Sequence, residues 1–141
     1  MPVPPDYRRA SDDFLKFLVD ARDAASLQTT HQAYTMVQGV LQVFRRRLDV
    51  KEAILFAGIL PPFLRALFVA DWDVNEPRRD FGDSGTMNEE VRRLRPDHNP
   101  APADAIRHVA AALRKNMDEA TLEVTLRKLP AGAAVFWRAG A

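Results

Sequence analysis

Residues 30–48, THQAYTMVQGVLQVFRRRL, place Ala33, Met36, Val37, Val40, Leu41, Phe44 and Leu48 at steps of three and four, opposite Gln38, Gln42 and Arg46. That spacing collects the apolar side chains on one stripe of an α-helix. Thr29 followed by Gln32 is a capping-box pair in front of it. Asp49 with Glu52 spells a second such start, for a helix reaching about Ile59. Pro61 then biases the residue before it away from helical geometry and suits the first turn of a further helix. Leu60-Pro61 therefore predicts a corner between two packed helices. An opening helix carries Phe14, Phe17 and Leu18 after Ser11. No run of alternating apolar and polar residues competes as a strand.

The pattern is written twice. An offset of 69 residues brings Val40 onto Val109, Arg45 onto Arg114, Asp49 onto Asp118, Leu60 onto Leu129 and Pro61 onto Pro130. Apolar character is kept between Val37 and Ile106, Phe44 and Leu113, Leu48 and Met117, Leu67 and Phe136, and Phe68 and Trp137. These are caps, corners and core positions, so the chain reads as an internal duplication. In the second copy Thr86 and Glu89 are expected to cap a helix with Met87, Val91 and Leu94. Pro102 is expected to open the helix of Ile106, Val109 and Leu113, and Asp118 to cap the next. The expected organisation is a tail at 1–10, a first helical unit at 11–72, a linker at 73–85 and a second unit at 86–137. The fold class is all-α, a compact bundle of two related three- to four-helix units.

Composition narrows the function classes. With 141 residues, 47% apolar and 28% charged, the chain suits one soluble cooperative domain. A net charge of +1 argues against a dedicated polyanion binder. The absence of cysteine excludes disulfides, thiolate nucleophiles and cysteine-ligated metals. The opening MPVPPDYRRASDDF has no apolar core ahead of its charges, which predicts no secretory signal and a cytoplasmic location. Residues 53–70 run 18 positions with Arg65 as the single charge, the lower limit for a membrane span. Pro61 and Pro62 interrupt it, and the matching second stretch carries Glu123, Arg127 and Lys128, so two buried helices are expected and no membrane association.

HQAYTMVQGVLQVFRRRLDVKEAILFAGILPPFLRALFVADWD resembles the bacterial family known as domain of unknown function 2267. The resemblance is carried by His31, Ala33, Tyr34, Val40-Leu41, Arg47-Leu48, Glu52-Ala53, Leu60-Pro61 and Trp72. AIRHVAAALRKNMDEATLEVTLRKLP is similar to that family's second unit, so the likeness covers most of residues 11–137. It implies a small all-helical bacterial protein of two related units, without an assigned reaction and with no catalytic residues to carry over.

Candidate chemistry is sparse. Arg45, Arg46 and Arg47 form a basic patch that phosphates could use, with Arg8, Arg9, Arg78, Arg79, Arg92, Arg93 and Arg95 elsewhere. The competing reading is that basic residues complement a helix C-terminus. His31, His98 and His108 lack metal-pair spacing, and Asp12-Asp13, Glu89-Glu90 and Asp118-Glu119 read as first-turn carboxylates. Asp80-Phe81-Gly82 matches a kinase motif by accident, because the glycine-rich and catalytic loops are missing. Trp72, between Asp71 and Asp73, is expected to close the first unit's core. No catalytic, cofactor or metal site is expected, and the chain is not read as an enzyme. The segment around Ile54, Phe56, Ile59 and Phe63 is apolar nearly all round, where its counterpart carries Glu123, Thr125 and Lys128. Such a helix needs cover on every side, from the second unit or from another chain. The leading expectation is a protein-interaction or self-associating module, possible as a homodimer, whose protein partner is unknown. The alternative is a nucleic-acid-associated protein using the arginines.

Overall fold

The structure is a computed structural model describing residues 2–94 and 101–139. Among these residues it contains only helices: α1 (Pro5–Arg8), α2 (Ala10–Ala24), α3 (Thr30–Arg45), α4 (Val50–Ala57), α5 (Pro62–Val69), α6 (Ser84–Arg93), α7 (Ala105–Lys115), α8 (Glu119–Leu126) and α9 (Gly132–Phe136). The all-helical bundle expected from the periodicity is what forms.

Local rules set most boundaries. The Thr29 hydroxyl accepts from the Gln32 N–H at 3.1 Å while the Gln32 side chain accepts from the Thr29 N–H, and Asp49 with Glu52 closes the same box on α4. Asp118 accepts from the Thr121 N–H at 3.0 Å to start α8. Leu60-Pro61 and Leu129-Pro130 are the corners between α4 and α5 and between α8 and α9, and both leucines are buried. Two starts differ from expectation. α6 begins at Ser84 with Asp83, not Thr86, as its cap, because the Asp83 carboxylate accepts from the Thr86 N–H at 2.7 Å. Asp104, two residues beyond Pro102, takes the N-cap position of α7. The tail also holds the short α1, and Ala10 is already buried.

The helices cross-pack. α2 lies against α3 and, more extensively, against α7, while α6 lies more against α3 than against its sequence neighbour α7. α4 and α8, eight residues each and starting 69 positions apart, touch one another. The result is one hydrophobic core drawing on both halves of the chain. At its centre the Phe44 ring has Phe56 at 4.8 Å, Phe136 at 4.9 Å and Trp137 at 5.3 Å. These mixed edge-on and tilted contacts join α3, α4 and α9.

The stretch expected to be a linker is tied down. The Arg79 N–H donates to the Arg46 carbonyl at 2.9 Å, and Phe81 packs 6.0 Å from Phe44 and 6.3 Å from Phe136. Gly132 makes room for it, since a Cβ there would overlap the Phe81 ring. The aromatic of the accidental kinase motif is therefore a core plug.

Candidate interaction surface

α4 presents two unlike faces. Ala53, Phe56 and Ala57 point inward, and the Phe56 ring stacks on Trp137 at 5.5 Å, so the second half of the chain covers it. Val50, Ile54 and Leu55 point outward with 44%, 64% and 39% of their surface exposed, and Gly58 continues their row. Isolated apolar side chains on a surface are ordinary, but three within two turns of one short helix form a strip. The four residues expected as one surface thus separate. Phe56 is a core residue, a correction that follows from its three-residue step from Ala53 on the inward stripe. Ile59 is half-buried against the core. Phe63 is partly exposed elsewhere, edge-on to Phe14 of α2 at 5.5 Å. Ile54 remains as the outermost member, with Val50 and Leu55 as neighbours that the sequence reading missed.

The three arginines do not make the exposed patch that phosphate contacts would need, in keeping with the competing reading of a structural role at the helix end. Arg45 and Arg47 are buried, and Arg46 is mostly covered. Arg45 Nη1 donates to the carbonyls of Phe68 at 2.9 Å and Ala70 at 3.0 Å, fastening the end of α5, and its guanidinium lies 5.5 Å from the Trp72 ring centroid. Trp72 is partly buried and packs against the core. Arg47 donates twice to Glu90 on α6, at 2.7 and 3.1 Å, and once to the Val43 carbonyl. Arg46 and Arg79 reach the same carboxylate at 3.0 Å each, and Arg46 also pairs with Glu76 at 3.2 Å. Burial pushes the Glu90 carboxyl upward, but the hydrogen bonds from Arg47 and Arg46 and the charges of Arg47 and Arg79 outweigh it and hold it below its ordinary value. Glu90 is accordingly a structural anchor between α6 and the end of α3, and not a first-turn carboxylate.

A smaller tie joins the end of α7 to α2. Asn116 donates to Asp20 at 2.8 Å, and Lys16 donates to both Asp20 and Asn116. Asn116 stands 69 positions after Arg47, so each of the two long central helices ends in a polar clasp on a helix from the other half of the chain.

The histidines are engaged locally. His31 stacks on Tyr34 at 6.4 Å, and His108 lies 2.9 Å from Asp104 one turn back, where Arg107 also bonds; His98 lies outside the described residues, as does Arg95. Among the described residues no three His, Cys, Asp or Glu side chains gather as a metal site, and no helix is long and apolar enough to cross a membrane.

Fold and surface together define an all-helical protein with one shared core and a bared apolar strip on α4. The family model of domain of unknown function 2267 (DUF2267), described as an uncharacterized conserved protein, matches residues 14–136. The chain belongs to this family. No curated protein matches it.

Proposed function

We propose that this protein is a non-catalytic interaction module that pairs with a second copy of itself through the outer face of α4. The observation that carries the reading is the strip of Val50, Ile54 and Leu55 left bare while Phe56, on the same helix, is covered from within. The strip suits self-pairing for two reasons. It is uncharged apart from Lys51 at its edge, so placing it against its own copy brings little like-charge repulsion. An antiparallel pairing about Ile54 also sets each Val50 against the low ridge at Gly58 of the second copy, which matches large with small, as a two-fold interface requires. The arginines favour this over a nucleic-acid role, because Arg45 and Arg47 are buried and Arg46 is paired with Glu76 and Glu90. Ile54→Glu tests the reading, as its side chain is mostly in water and its loss leaves the core intact. Light scattering is expected to show a dimer for the wild type and a monomer for the variant, with matching circular dichroism. A wild-type mass that is monomeric at about 100 μM, where a micromolar dimer would be well populated, would overturn it.

A further inference from the structure

Arg45 and Arg114 occupy positions 69 residues apart at the ends of α3 and α7, and each donates to a carbonyl 23 residues further on, Arg45 to Phe68 and Arg114 to Trp137. Their charges are treated differently. Arg114 has Glu123 at 2.7 Å and Glu119 at 4.0 Å, both from α8. At the corresponding positions of α4 stand Ile54 and Val50. Among the described residues no carboxylate makes an ion pair with Arg45, although its side chain is only 5% exposed and its Nε has no hydrogen-bond partner. A buried cation whose counter-charges stay beyond ion-pair distance is costly: burial, the main cause, pulls the guanidinium below its ordinary value, and the charges of Glu76 and Asp71 offset this only in part.

Arg45 lines a cavity of about 190 Å³ between the end of α3, the start of α4 and residues 72–78. Arg46 and Arg78 add positive charge, and Trp72, Val50 and Val74 supply an apolar wall. Two carboxylates also line it, Asp49, which caps α4 by accepting from the Glu52 N–H at 2.8 Å, and Glu76, which pairs with Arg46, so the three arginines keep an excess of one positive charge. Arg78 makes no ion pair among the described residues.

We propose that the cavity binds a small organic carboxylate, whose charged end stands beside Arg45 as Glu119 and Glu123 stand beside Arg114 and whose apolar body lies against Trp72. Arg78 provides a second positive charge at the mouth. The site shares Val50 with the α4 strip but draws its charge from Arg45 and Arg78, so the monomeric Ile54→Glu variant is expected still to bind.

The test is a titration of the uniformly ¹⁵N-labelled full chain with benzoate, following the Trp72 indole N–H and the Arg45 Nε–H by NMR, with benzamide and inorganic phosphate in parallel. Benzoate is expected to shift both signals saturably with a Kd of about 1 mM or better. Arg78→Ala is expected to weaken binding about three- to fivefold, as for an exposed charge pair. Val50→Glu installs the counter-charge that the other half of the chain carries at this register, at a first-turn position that favours an acidic residue. It is expected to fold normally, to move the Arg45 Nε–H signal without ligand and to weaken benzoate more than tenfold. Benzoate without effect at about 10 mM, benzamide or phosphate binding as well as benzoate, or unchanged benzoate affinity in folded Val50→Glu would each overturn the proposal.

Discussion

Removing the Glu90 carboxylate should cost this protein more than any other single surface-adjacent charge. Its side chain is 15% exposed and that of Arg47 is 5% exposed, and two hydrogen bonds of 2.7 and 3.1 Å join them. In Glu90→Ala the Arg47 guanidinium keeps its bond to the Val43 carbonyl but loses the one carboxylate that pairs with it among the described residues. Breaking a buried pair from one side strands the other charge, and the usual cost is about 3–5 kcal/mol. The bond from the half-exposed Arg79 adds little to that. pH gives an independent check. The Glu90 carboxyl is held below its ordinary value of 4.5, so its contribution is present above that pH and fades as the pH falls through the lowered folded-state value. Urea titrations at pH 7 and pH 4, read by far-ultraviolet circular dichroism, should show a large loss for Glu90→Ala at pH 7. The difference from wild type should shrink in acid, while Asp20, lowered despite its burial by bonds from Asn116 and Lys16, leaves some acid sensitivity in both proteins. A cost below about 1 kcal/mol at pH 7, or a gap that does not narrow on acidification, would refute the anchoring role of Glu90.

Leu60→Ala and Leu129→Ala should each lower stability by about 2–5 kcal/mol in chemical denaturation, since both corner leucines are buried; costs under about 1 kcal/mol at both would contradict matched, core-forming corners. Gly132→Ala should lower stability by about 1–3 kcal/mol because the added methyl meets the Phe81 ring, and combining it with Phe81→Ala should recover part of that loss through the space released.

What could be read along the chain was what neighbouring residues decide. Thr29 and Gln32, Asp49 and Glu52, and the two Leu-Pro corners lie within a few residues of the groups they bond or break, so spacing alone located them. Periodicity likewise gave the inward stripe of α3. It did not separate the faces of α4, where an apolar residue at nearly every position hides which side is covered; only the position of Trp137 tells Phe56 from Ile54. Arg45, Arg46 and Arg47 were legible only as helix-end residues, for a related reason. Three adjacent arginines leave a basic patch open beside the helix-end role, while their partners, Phe68, Ala70 and Glu90, lie 23 to 44 residues away and come near only through the packing of α5 and α6 on α3. Phe81 was lost among glycines and acids whose composition announces a loop, although one aromatic is enough to pin that loop to the core. The α4 strip was half visible, since the mismatch of Ile54 with Glu123 flagged the helix but not its exposed members.

Because the chain has no cysteine, Ile54→Cys gives a unique thiol at the centre of the proposed pairing face, and Leu15→Cys gives a control of similar exposure on α2. A short thiol-specific crosslinker applied to each variant at about 100 μM, a concentration at which micromolar association is populated, measures directly whether two copies meet at α4. Self-pairing through this helix predicts rapid, near-complete covalent dimer from Ile54→Cys and only slow, collisional product from Leu15→Cys. Equal rates from the two positions would contradict it.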